Sequence, residues 1–175
     1  MFQYRFSNSN DLSGHSLGNL MLTALTDITG DFSYAIAEMS KVLNVHGKVI
    51  PAANKKVTLH AELEDGSFID GESRIPAATV PIKRVFLTPQ NIQPVPAAIN
   101  AIKKADVILI GPGSLYTSII PNLLVKEIGV AVIKAKAKKI YICNLMTQRG
   151  ETGNYRACEH VQAIHNHVGT PLIEA

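Results

Sequence analysis

The sequence predicts an α/β fold, a parallel sheet covered by helices with an antiparallel hairpin beside it. Three observations predict it. Val107 to Ile110 is a run of four branched apolar residues, read as a fully buried strand, and it ends in a turn at Gly111-Pro112-Gly113. Helix, strand, loop, helix, strand and helix alternate over residues 94 to 168, the order of a parallel sheet with right-handed crossovers. Val57, Leu59, Ala61 and Leu63 alternate with Thr58, His60 and Glu62, the period of a half-buried strand, and Glu64-Asp65-Gly66-Ser67 follows with hairpin chemistry.

The elements follow in order. Leu17, Leu20, Met21, Ala24, Leu25 and Ile28 recur at three- and four-residue intervals, predicting a helix to Thr29 with Ser13 or Ser16 as its cap. Gly30 breaks it, Asp31 caps the next, and Phe32 to Leu43 carries a second apolar face closed by Asn44 to Gly47. Lys48 to Pro51 reads as a short strand, Ser67 to Glu72 as the return of the hairpin and Ile82 to Leu87 as a third strand. Prolines open a helix over Pro94 to Ala105. After the Val107 strand come a helix from about Leu115, another around Ile128 to Lys136, a strand Ile140 to Asn144 and a last helix near Arg156 to Val168. Right-handed connections put the ends of the two apolar strands on one rim, so Asn144 and Met146 to Gly150 are expected beside Gly111 to Ser114.

Composition bounds the function classes. The chain has 175 residues, enough for one domain with a real core, with 46% hydrophobic and 18% charged residues. A formal charge of +3 is too small to argue for nucleic acid. The lysines at 134, 136, 138 and 139 read as a solvated helix end, since no aromatic stacking set accompanies them. No apolar run reaches the roughly 18 to 20 residues of a membrane span, and the mixed Met1-to-Phe6 stretch gives no expectation of a secretory leader. Cys143 and Cys158 fit no metal or redox spacing. Cys143 is expected to pack in the core, and two free thiols suggest a reducing, cytoplasmic setting.

The chemistry-bearing stretch is Gly111-Pro112-Gly113-Ser114, followed by Tyr116, Thr117 and Ser118. A glycine turn after a buried parallel strand, running into a helix start, offers unpaired N–H groups and a positive dipole end to a phosphate or other anion. It is not a P-loop, because no Lys follows a second glycine at the required spacing, and Tyr116 stands at the third glycine position of the dinucleotide fingerprint. Taken alone, it fits a tight connecting turn as well as an anion site.

Three other patterns point away from chemistry. Gly14-His15-Ser16-Leu17-Gly18 matches a nucleophile elbow, but Asn10 to Ser13 is not the buried strand an elbow needs, and a helix start explains Ser16 better. His160, His165 and His167 share a predicted helix at spacings of five and two, which does not set neighbours on one face for zinc. Glu62, Glu64, Asp65, Asp70 and Glu72 are expected on solvent-facing strand positions and a turn.

Several motifs agree in order with one family. F-Q-Y-R-F at 2 to 6, G-H-S-L-G-N at 14 to 19, E-L-E-D-G at 62 to 66, G-P-G-S-L-Y-T-S-I-I-P-N-L-L at 111 to 124 and C-N-L-M-T-Q-R-G-E-T at 143 to 152 resemble the YvcK, or gluconeogenesis factor, branch of the CofD-like family. The resemblance implies a three-layer, Rossmann-like fold in a cytoplasmic bacterial protein. It further implies binding of nucleotide sugars of the UDP-N-acetylglucosamine type and a regulatory role in gluconeogenic growth, cell shape and cell-wall synthesis. No reaction attaches to that branch, so the expectation is a binding protein without a cofactor rather than an enzyme. CofD relatives instead transfer a phospholactyl group to a deazaflavin, with a guanine nucleotide donor and magnesium, and this transferase is the alternative. A homodimer is left open.

The family's opening strand with its G-G-G-T-G loop and Asp-Asp-Gly-Gly-Ser segment has no counterpart here. Residues 1 to 175 are therefore expected to form a single but partial, N-terminally truncated CofD-like domain. The residues carried over as ligand-binding are Gly111, Pro112, Gly113 and Ser114 on the phosphate side, Tyr116, Thr117 and Ser118 at the helix start, His15, Ser16 and Asn19 from the G-H-S-x-G-N block, and Asn144 and Gln148 from the C-N-L-M-T-Q block. For Asn19 and Asn144, backbone capping is an equal reading.

Overall fold

The structure, a computed structural model, describes residues 3–7 and 12–173. It divides into two compact units, Met1–Asn54 and Lys55–Ala175. The fold is of the α/β class, with one parallel and one antiparallel sheet.

The first unit is a helical hairpin, α1 (Leu17–Thr29) and α2 (Phe32–Val42). Both starts are capped as the sequence predicts. Ser16 Oγ accepts the Asn19 N–H at 3.2 Å and Asp31 Oδ1 accepts the Tyr34 N–H at 2.7 Å. The apolar faces are only partly covered: Ala35 and Met39 of α2 are buried, while Ile28 of α1 is 80% exposed. Lys48 to Pro51 is not a strand. Val49 is exposed, the stretch has no ladder partner among the described residues, and Pro51 brings no N–H to donate.

The second unit opens with the antiparallel sheet β2-β1-β3, formed by β1 (Thr58–Leu63), β2 (Phe68–Asp70) and β3 (Ile82–Thr88). The β1–β2 turn is the predicted hairpin. Leu59, Ala61 and Leu63 are buried as their period requires. Glu62, expected to face solvent, is buried. Its partner Arg84 is followed in register by Ile82 opposite Leu63, a bulge that leaves Lys83 unpaired in the ladder. Two consecutive basic residues thus reach one carboxylate, Lys83 Nζ at 2.7 Å with Arg84 Nε beside it, and they hold its carboxyl below the usual range. Around the turn, Asp65 accepts the Ser67 N–H and hydroxyl, and Asp70 meets His60 Nδ1 at 2.6 Å.

The alternating part follows: α3 (Pro96–Lys104), β4 (Val107–Ile110), a π-helical turn (Leu115–Ile119) running directly into α4 (Ile120–Leu124), then α5 (Lys126–Lys134), β5 (Lys138–Tyr141) and α6 (Ala157–Val168). β4 and β5 are parallel neighbours, paired from Val107↔Lys138 to Ile110↔Tyr141. β5 begins at Lys138 and ends at Tyr141, earlier than the apolar run suggests. Two of the lysines read as a helix end are strand residues, and Lys139 Nζ turns back onto the Ala135 carbonyl at 2.8 Å, at the end of α5. Cys143 therefore lies beyond the strand and is half-buried, and Cys158 is exposed on α6.

β4 is not fully buried either. Ile110 is buried and Ile108 half-buried, but Val107 is 49% and Leu109 59% exposed, and Ile140 and Ile142 are exposed too. Side chains alternate across a strand, and the described residues cover only one face of this two-stranded sheet. Among them, no single helix is long and apolar enough to cross a membrane.

His167 ties α6 to β3. Its Nε2 accepts the Val85 N–H at 3.0 Å, so Nδ1, 2.7 Å from the Ala163 carbonyl oxygen, must be the donor. Burial, with Arg84 adding to it against the pull of the Ala163 bond, holds the pKa below the ordinary 6.5. A depressed histidine contributes stability that is complete above the unfolded value and is lost as pH falls through the folded value. The thermal midpoint should therefore fall as pH is lowered from about 7 to about 5. His167→Leu should cost about 1–3 kcal/mol near neutrality, by stranding the Val85 N–H, and should flatten that pH dependence. Melts with the same pH slope in both proteins would contradict the assignment.

Candidate functional site

The loop Gly111 to Thr117 leaves β4 at the carboxyl end of the parallel pair, where ligands of open α/β sheets sit. Gly111 turns the chain at φ 88°, and a Cβ there would come within 2.9 Å of the Ile142 carbonyl oxygen. Only glycine fits that closeness. The Gly111–Pro112 peptide is cis. Ser114 starts the helical run, and its carbonyl accepts the N–H groups of both Ser118 and Ile119, the widened turn of a π-helix. Such turns recur at functional sites.

The segment after β5 braces this loop rung by rung. Asn144 reads both sides of Gly113, Oδ1 accepting its N–H at 3.3 Å and Nδ2 donating to its carbonyl at 3.0 Å. Gln148 Nε2 donates to Ser114 Oγ at 2.9 Å. Glu151 Oε2 accepts the Tyr116 N–H at 3.0 Å, and its Oε1 accepts the Thr117 hydroxyl at 2.9 Å. The brace is itself fixed by Thr152, fully buried. Its Oγ1 accepts the Gln148 N–H at 2.9 Å and its own N–H donates to the Gln148 carbonyl at 2.8 Å.

After these bonds, the N–H groups of Ser114, Leu115 and Thr117 have no acceptor among the described residues. They lie at the start of the helical run, where the dipole favours an anion, but Leu115 and Thr117 are buried, which leaves the N–H of half-buried Ser114 as the donor nearest the surface. Tyr116 and Thr117 support the loop from inside. Both are buried, and the Tyr116 hydroxyl meets that of Tyr155 at 2.8 Å. Burial, with the Tyr155 bond, pushes the Tyr116 phenol up. Ser118 is exposed, and Asn122 Nδ2 donates to its carbonyl at 2.7 Å.

The structure thus brings together Gly111, Pro112, Gly113, Ser114, Tyr116, Thr117, Ser118, Asn144 and Gln148. His15, Ser16 and Asn19 belong to the first unit. There, Tyr4 to Phe6 runs antiparallel to residues 14 to 17, and Arg5 Nη1 donates to the Gly14 carbonyl at 2.7 Å. Ser16 and Asn19 line an open cleft of about 680 Å³ with Arg5 and Met39. Ser16 follows a turn, not a sheet strand, and its oxygen is engaged as a cap. The helix histidines are held apart: His160 Nδ1 meets the Tyr141 hydroxyl at 3.0 Å and His165 Nε2 accepts the Ile173 N–H at 3.1 Å.

Reading the sequence missed Glu151 and Thr152. Both stand inside the quoted C-N-L-M-T-Q-R-G-E-T block, and the available signal was a carboxylate placed by topology at the phosphate rim. Gly150 was expected at the rim, but its close packing was not. Its φ is 83°, and a Cβ there would lie 2.1 Å from the Pro76 carbonyl oxygen. Gly150→Ala should therefore push the brace away from Pro76 and cost at least about 2 kcal/mol. Gly153→Ala, where a Cβ meets nothing within 4 Å, should leave the melting midpoint nearly unchanged. Equal midpoints for the two variants would refute the close packing at Gly150.

Comparison with known proteins agrees with this architecture. The family described as "2-phospho-L-lactate transferase CofD" matches residues 1–175. The chain is 63% identical over 174 residues to a protein of Bacillus subtilis named "Gluconeogenesis factor", covering 99% of this chain and 55% of that one. It is 58% identical to the protein of the same name from Halalkalibacterium halodurans, covering 99% and 54%. A crystal structure of a Bacillus halodurans protein superposes with a TM-score of 0.92 at 58% identity, covering 99% of this chain and 56% of that one. The chain thus spans about half the length of the curated relatives it matches.

Proposed function

Because the chain belongs to the CofD family, by a match that runs through all its residues, we propose that it carries the phosphate-holding part of a nucleotide-sugar site in a regulatory protein of the gluconeogenesis-factor kind. The ligand is of the UDP-N-acetylglucosamine type, and the roles are growth on gluconeogenic carbon sources, cell shape and cell-wall synthesis. The observation that carries the reading is the unpaired N–H of half-buried Ser114 at the start of the helical run, on a backbone fixed independently by Asn144, Gln148 and Glu151. A pyrophosphate received there needs no rearrangement of the loop, so little ordering has to accompany binding.

The second reading is a CofD-type phospholactyl transferase acting on a deazaflavin with a guanine nucleotide donor, and the family description favours it. Its magnesium finds a poor donor set at this rim. Glu151 is the carboxylate placed there, and both its oxygens already accept hydrogen bonds. Among the described residues, no three His, Cys, Asp or Glu side chains converge.

Calorimetric titration of the chain with UDP-N-acetylglucosamine separates the readings. We expect saturable binding that weakens on the order of tenfold or more in Gly113→Leu, whose side chain would crowd the N–H groups beyond it. Repeated turnover to a phospholactylated deazaflavin, with no affinity for the UDP-sugar, would establish the transferase instead.

A further inference from the structure

We propose that the groove between α3 and α5 takes the acidic β1–β2 hairpin of a second copy of this chain. The inference is independent of the nucleotide-sugar reading, which uses neither surface. The groove measures about 790 Å³, and both halves of the contact lie in the second unit. Its floor is apolar, with Ile99 from α3 and Val130 from α5, the latter 40% exposed. Its rim is basic. Lys103 stands in the last turn of α3, Lys126 and Lys134 at the two ends of α5, and Lys136 just beyond. All four are exposed, and none forms an ion pair among the described residues. One carboxylate, Glu127, shares the lining, so the groove keeps a surplus of three positive charges.

The complement is on the same chain. Glu64 and Asp65 at the hairpin tip, Asp70 at the end of β2 and Glu72 just past it are all exposed. Asp70 meets His60 and Asp65 accepts bonds from Ser67, while Glu64 and Glu72 form no ion pair among the described residues. The cations of this sheet are engaged: Glu62 takes up Lys83 and Arg84, and Arg74 donates to the Asp70 carbonyl. Over residues 58–88, five carboxylates face those three cations, a surplus of two negative charges with His60 neutral. Among the carboxylates stands Phe68, 60% exposed and edge-on to Phe86. An aromatic side chain ringed by carboxylates matches an apolar floor ringed by lysines. No aromatic ring lines the groove, so a nucleic acid would find nothing there to stack on.

The two surfaces differ, so the contact is heterologous, and each copy offers both a hairpin and a groove. Charge complementarity of this kind orients association and is screened by salt. Sedimentation of the wild-type chain should show reversible self-association at about 0.05 M salt that weakens on the order of tenfold at about 0.5 M. Lys126→Glu with Lys134→Glu reverses the groove, and Glu64→Lys with Glu72→Lys reverses the hairpin. Each double variant alone should associate on the order of tenfold or more weakly than wild type. An equimolar mixture of the two should recover the association, because each reversed surface then meets its complement. Phe68→Ala should weaken association about threefold or more and leave its salt dependence unchanged.

Circular dichroism checks that each variant is folded. Should a double variant fail to fold, the single changes Lys134→Glu and Glu64→Lys carry the same exchange. A wild-type chain that stays monomeric at the lower salt overturns the assignment, and binding of a synthetic acidic peptide to that monomer would give the groove a different occupant. Undiminished association in either folded double variant, or a mixture that stays monomeric, overturns it as well.

Discussion

Backbone N–H groups can hold an anion only if something else holds the backbone. In this protein the holding is done by the segment from Asn144 to Thr152, which meets the loop after β4 at Gly113, Ser114, Tyr116 and Thr117 in sequence order. The parallel pairing of β4 with β5 brings the two segments to one rim, and the fully buried Ile75, Leu115, Ile120 and Ile164 fix the elements behind it. Hydrogen bonds of this kind contribute only about 1 kcal/mol each to net stability. Their importance lies in geometry, since three side chains on one segment set the direction of four loop residues between Gly113 and Thr117.

The same segment explains why the loop works without the residues that usually mark a phosphate site. A P-loop combines backbone donors with a lysine, whereas this loop combines them with a buried carboxylate. The widened turn at Leu115–Ile119 lets one carbonyl, that of Ser114, serve two N–H groups, and it leaves earlier donors free. Tyr116 meets Tyr155, just before α6, through their hydroxyls and α6 itself through its edge-on contact with His167, so the loop is joined to the same histidine that links α6 to β3.

Much of the fold was legible because local pattern and tertiary environment agree. The alternation over residues 57 to 63, the hairpin turn, the capped helices α1 and α2 and the parallel pair all follow from periodicity and turn chemistry. The failures have physical causes. Lys138 and Lys139 hide the start of β5 because long amines can leave a sheet edge for a helix end, as Lys139 does. Glu62 is buried because a bulge brings two cations to it, and no sequence period announces a bulge. The Val107 run looked fully buried because apolar content does not say how many layers cover a strand. On the site side, topology placed Asn144 and Gln148 correctly beside the loop. Glu151 was not legible, because a carboxylate next to a predicted anion site reads as an obstacle until its hydrogen bonds show it fastening the loop in place.

The most direct test of this account is residue-resolved amide hydrogen exchange by NMR, with and without saturating UDP-N-acetylglucosamine. The unpaired N–H of half-buried Ser114 should exchange quickly in the unliganded chain and become protected on binding. Those of Gly113 and Tyr116, already bonded to Asn144 and Glu151, should be protected throughout. Ligand-induced protection elsewhere in the chain, with Ser114 unchanged, would contradict it.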